Sequence, residues 1–250
     1  MAKLLIHGSS WTVGAYKKSS TPNSDEKVKG GLADQLAYDH DVTNISVQDN
    51  MNLGIWLGLQ NHLKNNSGYD AIIICQNDPL MDFGVWRSTD EHWLEQFGYT
   101  KQDLIDGGVD SITKMIDYLL EQFYRRVADA VGDTPTIIID GPSKLNVELL
   151  SKYGLAYSDS WTTTLVESYE PTYLESSIEL DYATQWLINT YPSKSRELKS
   201  EFIDYVDQID EKIALYKEHP DMFAYHHPTV SGNKLFYRKI RERLQCQNVF

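Results

Sequence analysis

Residues 3–14 read KLLIHGSSWTVG, a short apolar strand-like run, Lys3–His7, that leads into a glycine and two serines. Short runs rich in Ile and Leu and bounded by turn-forming residues are typical of strands that are covered on both faces of a parallel sheet. Three later runs of the same kind lie at residues 42–47, 71–75 and 136–140. The sequence therefore predicts four buried parallel strands, the first of which enters a serine-bearing turn.

Helical patterns separate the predicted strands. Apolar residues recur at helical spacing over residues 55–63, 112–131, 196–217 and 235–244. Strands that alternate with amphipathic helices form β-α-β units, in which helices cover both faces of a parallel sheet. We therefore expect a three-layer α/β/α sandwich with a mostly parallel sheet, in a single domain over residues 1–250.

Two segments interrupt this alternation. Residues 17–31 are polar and predict an exposed loop. Residues 79–108 carry Trp86 and Trp93 among many polar side chains, and they predict an ordered insertion after the third strand. Because ligands of open α/β sheets bind at the carboxyl ends of the strands, this insertion is a candidate lid or substrate wall, with a packed loop as the alternative.

Charge and composition exclude several classes of partner. The 250 residues include 36 acidic and 23 basic ones, and the net charge of −13 disfavours binding to nucleic acid. The basic run at residues 237–243 fits the solvated face of a C-terminal helix. No stretch approaches the ~20 apolar residues that span a bilayer, and no signal peptide is apparent. These features predict no membrane partner and a cytoplasmic location, or association with a particle if the protein is viral.

Three polar positions are candidates for chemistry. Ser10 lies at a strand-to-helix turn, where a backbone N–H and the helix dipole favour an oxyanion. Asn77 follows the third strand and is expected at the same edge of the sheet. His227 precedes Pro228 in a restrained loop and is a candidate general base. A helix cap and an Asn-Asp-Pro turn are the plainer interpretations of the first two. The pair His226 and His227 lacks a third ligand, so no metal site is predicted.

Taken in order, these residues resemble the motif blocks of the SGNH (GDSL-type) hydrolase family. Gly8-Ser9-Ser10 resembles the Gly-Asp-Ser block, and Cys75-Gln76-Asn77-Asp78 resembles the Gly-x-Asn-Asp block. His227-Pro228, with Gly232 after it, resembles the catalytic-histidine block. The resemblance covers nearly the whole chain and implies the flavodoxin-like SGNH fold, with no cofactor.

The resemblance also implies roles for individual residues. Ser10 takes the position of the nucleophile and His227 that of its general base. The Ser10 backbone N–H and the Asn77 side-chain amide take the positions of oxyanion donors. Asp49 stands where the family has a glycine, and its backbone N–H is a weaker candidate donor, since an acidic side chain beside an oxyanion is unfavourable. Asn52 matches an asparagine that follows this glycine.

The chain departs from the family pattern elsewhere too. Ser9 replaces the aspartate of the first block, and Cys75 replaces the glycine of the third. The position of the triad acid falls on Ala224, three residues before the histidine. Asp221 is a candidate substitute for that acid. Alternatively His226 or a backbone carbonyl orients the imidazole, which leaves a Ser-His dyad.

Two functions from different classes follow from these features. The first is a serine esterase or deacylase, which hydrolyses a small-molecule or glycan carboxylic ester through an acyl-enzyme. Trp86 and Trp93 are candidates to stack on a sugar, which makes O-acetyl groups of a glycan a candidate substrate. The second is a catalytically degenerate SGNH-like fold that acts as a binding or structural protein, for example in a phage or surface assembly. A flavodoxin-like nucleotide binder is a third reading, but the chain has no GxGxxG or GxxxxGK[ST] pattern.

Overall fold

A computed structural model of the chain describes residues 1–18, 20, 25–48, 50–77, 101–139, 145–158 and 227–247. Its strands are β1 (Lys3–His7), β2 (Ala15–Lys18), β3 (Asp25–Val28), β4 (Asp41–Asn44), β5 (Ala71–Cys75), β6 (Thr136–Ile139) and β7 (Ala156–Tyr157). Its helices are α1 (Ser10–Val13), α2 (Leu32–Leu36), α3 (Asn52–Leu63), α4 (Lys101–Val131), α5 (Val147–Lys152) and α6 (Val230–Cys246).

Five strands form one parallel sheet in the order β4-β1-β5-β6-β7. The first strand of the chain therefore lies inside the sheet, between β4 and β5. This is the doubly wound order of flavodoxin-like folds, in which the crevice beside the first strand receives ligands. The predicted parallel α/β fold is confirmed, and its strands β1, β5 and β6 are buried along nearly their whole length.

Helices cover both faces of this sheet, because successive side chains of each strand point to opposite sides. On one face Leu5 and Ile72 pack in a buried cluster with residues of α3, α4 and α5. On the other face Leu4, Ile6 and Ile73 pack with residues of α1, α2 and α6. The predicted three-layer arrangement is therefore confirmed. Among the described helices, none combines the length and apolar character that crossing a membrane requires.

The predicted loop at residues 17–31 is wrong in part. β2 and β3 pair there as an antiparallel ribbon, in which Lys17 is paired with Glu26 and Tyr16 with Lys27. The Lys17 and Glu26 side chains form an ion pair at 3.3 Å, and each is 57% exposed. Because polar side chains face the solvent, the ribbon lacks the apolar alternation that marks a strand in sequence.

Several element boundaries also differ from the predicted ones. The strand predicted at residues 42–47 spans Asp41–Asn44. Residues 101–108 of the predicted insertion lie in helix α4, while the rest of that insertion lies outside the described residues. The helix predicted at residues 196–217 also lies outside them.

His7, the last residue of β1, is buried against α3. A Cβ atom at Gly58 would lie 2.6 Å from His7 Nε2, so the glycine makes room for the imidazole. Burial lowers the pKa of His7 to about 4, because the charged imidazolium loses its hydration inside the protein. The folded protein therefore holds His7 neutral at pH values where an exposed imidazole is protonated.

This burial predicts a loss of stability in acid. In the unfolded chain an imidazole takes up a proton below about pH 6.5, whereas folded His7 stays neutral down to about pH 4. Between these two values the unfolded state binds more protons, so the free energy of unfolding is expected to fall as the pH is lowered, by about 3 kcal/mol in all. Urea unfolding at several pH values checks this, with His7→Leu beside the wild type. A His7→Leu protein that loses stability in acid as steeply as the wild type would contradict it.

Candidate active site

Gly8, in the turn after β1, lies close to Cys75 at the end of β5. A Cβ atom at Gly8 would lie 2.5 Å from Thr12 Oγ1 and 2.7 Å from Cys75 Cβ, so a larger residue does not fit there. Thr12 Oγ1 donates a hydrogen bond to the Ser9 carbonyl at 3.1 Å and tightens the turn. Ser9 is the residue that precedes α1, and Ser10 is the first residue inside it. The Ser10 N–H therefore has no acceptor within the helix.

The loop before α6 is anchored from two sides. The Pro228 carbonyl accepts a hydrogen bond from the Tyr16 backbone N–H of β2 at 3.1 Å. It also accepts one from Asn233 Nδ2 at 3.4 Å. Thr229 caps the helix, since its Oγ1 accepts a hydrogen bond from the Gly232 N–H at 3.3 Å. These bonds fix the two residues that directly follow His227.

Ser10 and His227 meet at the carboxyl edge of the sheet. His227 Nε2 lies 2.9 Å from Ser10 Oγ, although the two residues are 217 positions apart in the chain. This distance lies within the range in which a serine hydroxyl passes its proton to a general base. Both side chains are partly accessible, so a substrate has a way to reach them. The geometry suits a nucleophile and its base.

Asn77 follows β5 and is fixed by two other asparagines. Its backbone N–H donates to Asn52 Oδ1 at 2.8 Å, and its carbonyl accepts from Asn52 Nδ2 at 2.9 Å. Its side-chain Nδ2 donates to the Asn50 carbonyl at 2.7 Å. Asn52 is the first residue of α3 and is buried. This reciprocal pair joins the end of β5 to the start of α3 and sets the position of Asn77.

The register of the sheet places Asn77 beside the turn that carries Ser10. His7 of β1 is paired with Ile74 of β5, and the two candidate residues each follow this pair by three positions. They therefore lie at the same edge of neighbouring parallel strands. The role of Asn77 as an oxyanion donor stays a prediction.

Sequence reasoning missed the contribution of Tyr16 to this site. The Tyr16 ring stacks on the His227 imidazole, with 4.2 Å between ring centroids and 23° between the planes. Its hydroxyl donates a hydrogen bond to the Ser10 carbonyl at 3.1 Å. No motif or periodicity in the sequence marks this tyrosine. Asn52 matches an asparagine of the family pattern, but the sequence predicted no role for it.

Other predicted site residues lie outside the described part of the chain. They are Asp49, Trp86, Trp93, Asp221, Ala224 and His226. Within the described residues, no three His, Cys, Asp or Glu side chains are grouped so that they could hold a metal ion. Both cysteines are free thiols, Cys75 buried and Cys246 exposed.

Among known proteins, this chain is similar to solved structures but not to any curated sequence or family model. No family model matches the chain, and no curated protein matches it in sequence. Its fold is similar to that of esterases and acylhydrolases. A lipase/acylhydrolase of Enterococcus faecalis is 12% identical, with a TM-score of 0.39 over 80% of this chain and 97% of that one. An aryl esterase of M. smegmatis is 13% identical, with a TM-score of 0.38 over 65% of this chain and 85% of that one.

A third similar structure is the Bacillus subtilis protein YXIM. It is 12% identical, with a TM-score of 0.46 over 99% of this chain. This chain spans 57% of the length of that protein. Since all three TM-scores lie below 0.5, the activity of this chain has to be argued from its own site.

Proposed function

We propose that the chain is a serine ester hydrolase, a divergent relative of the SGNH family, with Ser10 as nucleophile and His227 as general base. The observation that carries this proposal is the 2.9 Å contact between Ser10 Oγ and His227 Nε2. A serine hydroxyl is a weak nucleophile by itself, and an imidazole within hydrogen-bond reach is what activates it. The contact joins residues from the two ends of the described chain, where the family resemblance expects this pair.

The first half of the reaction forms an acyl-enzyme. Ser10 Oγ attacks the carbonyl carbon of the ester while His227 Nε2 takes its proton. The tetrahedral intermediate collapses, the bond to the alcohol oxygen breaks, and His227 returns the proton to the departing alcohol. The acyl group is then bound to Ser10 as an ester.

The second half releases the acid. His227 Nε2 takes a proton from a water molecule, which attacks the acyl carbon. The bond between that carbon and Ser10 Oγ then breaks, and the proton returned by His227 restores the Ser10 hydroxyl. The products are a carboxylic acid and an alcohol, and no oxidant, metal or organic cofactor enters the balance.

Both tetrahedral intermediates carry a negative oxygen that needs donors. The Ser10 backbone N–H is one candidate, since it opens α1 and has no acceptor within that helix. The Asn77 side-chain amide is the second, supported by its place at the same sheet edge. Donors that are fixed in advance are worth about 10²–10³ in rate each.

Reaction with a fluorophosphonate probe, followed by intact-mass spectrometry, tests the proposal. The probe reacts only with activated serines, so the wild type is expected to gain the mass of a single adduct. Ser10→Ala is expected to gain none, because the nucleophile is gone. Ser9→Ala is the matched control, since the Ser9 hydroxyl is buried and has no hydrogen-bond partner among the described residues. A folded wild type without adduct, or an adduct that survives in Ser10→Ala, would overturn the proposal.

The narrower proposal is that the substrate is an O-acetyl ester on a glycan. It is supported by Trp86 and Trp93, whose rings in the segment after β5 offer faces on which a sugar can stack. Release of acetate from an acetylated polysaccharide, compared with release from a small acetate ester, tests it. Equal kcat/KM values for the two, unchanged in Trp86→Ala and Trp93→Ala, would favour a small-molecule ester.

Ala224 favours a second candidate function. An alanine stands where the family carries the acid of the triad, and in a triad enzyme the loss of that acid costs about 10⁴ in rate. A degenerate fold that binds a ligand or serves as a structural protein is therefore the alternative. The same probe separates the two, since only the hydrolase forms the adduct on Ser10.

A further inference from the structure

Tyr16 contacts both members of the Ser10–His227 pair. Its ring stacks on the His227 imidazole at 4.2 Å, and its hydroxyl donates to the Ser10 carbonyl at 3.1 Å. Its backbone N–H also donates to the carbonyl of Pro228, next to the histidine, at 3.1 Å. Tyr16 is itself only 4% exposed, so its ring has little freedom to move. One buried residue thus connects the two chain segments that build the site.

The stacked ring restricts the imidazole in the way that general-base catalysis requires. A histidine side chain turns about two torsions, and a ring packed flat against one face of the imidazole limits both. In this stacked arrangement, with 23° between the planes, the imidazole edge that carries Nε2 lies 2.9 Å from Ser10 Oγ.

We propose that Tyr16 is a positioning residue of the hydrolase, which holds the His227 imidazole in line with Ser10 Oγ. This inference rests on the proposed function. It explains how β2, an element outside the main sheet, takes part in the site. The orienting contact acts on the face of the imidazole, so it works with or without a carboxylate at the ring's edge.

Two substitutions separate the ring from the hydroxyl. Tyr16→Phe keeps the stacking and removes the bond to the Ser10 carbonyl. Tyr16→Leu keeps much of the apolar volume and removes the ring. The rate of fluorophosphonate labelling is expected to stay within about threefold of the wild type in Tyr16→Phe. In Tyr16→Leu it is expected to fall about 100-fold, the usual cost of misplacing a reacting group by about an ångström. Leu150→Ala, a buried change on α5 in the cluster on the other face of the sheet, is the control for lower stability.

Proton NMR of the His227 ring gives a second readout that needs no catalysis. A stacked aromatic ring moves the imidazole proton signals upfield, and their loss in His227→Gln assigns them. The upfield signals are expected in the wild type and in Tyr16→Phe, and they are expected to move downfield in Tyr16→Leu.

The outcomes keep the two proposals apart. A wild type that carries the upfield signals but forms no adduct with the probe overturns the hydrolase function, and the catalytic role of Tyr16 with it. A wild type that forms the adduct, with Tyr16→Leu labelled equally fast, overturns the role of Tyr16 alone. A Tyr16→Phe protein as slow as Tyr16→Leu would also overturn it, because the ring would then not be the part that matters. If Tyr16→Leu fails to fold, the wild-type NMR spectrum still tests the stacking, because His227 signals without an upfield shift would overturn the proposal.

Discussion

Replacement of His227 by glutamine is expected to slow the labelling of Ser10 by the probe, and the hydrolysis of an ester substrate, by about 10⁴-fold. Glutamine is polar and can form a hydrogen bond to Ser10 Oγ, but it cannot take the proton that the hydroxyl must lose. The wild-type distance of 2.9 Å between His227 Nε2 and Ser10 Oγ puts this proton transfer within direct reach. The measurement is the second-order rate constant of labelling, compared under identical conditions.

A second histidine tests whether the loss of rate is specific to His227. His62→Gln is the matched control, since His62 is half-buried on α3 and bonded to Tyr69 at 2.7 Å. A His227→Gln rate within tenfold of the wild type would show that another group activates Ser10.

Replacement of Asn52 by leucine is expected to lower the free energy of unfolding by about 2–6 kcal/mol, because two buried backbone groups lose their partners at once. These are the N–H and the carbonyl of Asn77, bonded to the Asn52 amide at 2.8 and 2.9 Å. Leucine has a similar size and supplies neither partner. Since the same bonds set the position of Asn77, the rate of labelling should fall as well, by about 10²-fold if its amide is an oxyanion donor.

Two further variants sharpen this test. Asn52→Asp retains an acceptor for the Asn77 N–H and removes the donor to its carbonyl, so its loss of stability should lie between that of the wild type and that of Asn52→Leu. Asn61→Leu, an exposed change on the same helix, is the control and should change the stability by less than about 0.5 kcal/mol. Urea unfolding gives the energies. Equal stability of Asn52→Leu and Asn61→Leu would mean that the reciprocal pair contributes nothing.

The main sheet could be predicted because strands that are buried on both faces are short, continuous apolar runs in the sequence. β1, β5 and β6 are runs of apolar residues with sharp ends, and the helical stripe at residues 112–131 lies in α4. The ribbon of β2 and β3 has no such mark, since Lys17 and Glu26 face the solvent. β7 is two residues long and too short to show any period.

Ser10 and His227 could also be proposed from sequence, because they lie in motif blocks that follow the order of the SGNH family. The role of Tyr16 could not. It depends on where an antiparallel ribbon folds against a loop from the other end of the chain, and a single sequence holds no sign of that contact. The bonds from Asn52 to Asn77 are hidden for the same reason, since they join a helix start to a strand end.

The 217 positions between Ser10 and His227 have a consequence for the newly made chain. Synthesis proceeds at about 5–20 residues per second, so Ser10 is added to the chain roughly 10–45 s before His227. The five described strands of the sheet precede His227 in the chain, whereas α6, which packs in one cluster with Leu4, Ile6 and Ile73, follows it. During that interval the serine has no base beside it. A product that ends before His227 would keep an inert nucleophile and would lack the α6 residues of this core cluster, so that one segment supplies both the general base and part of the core.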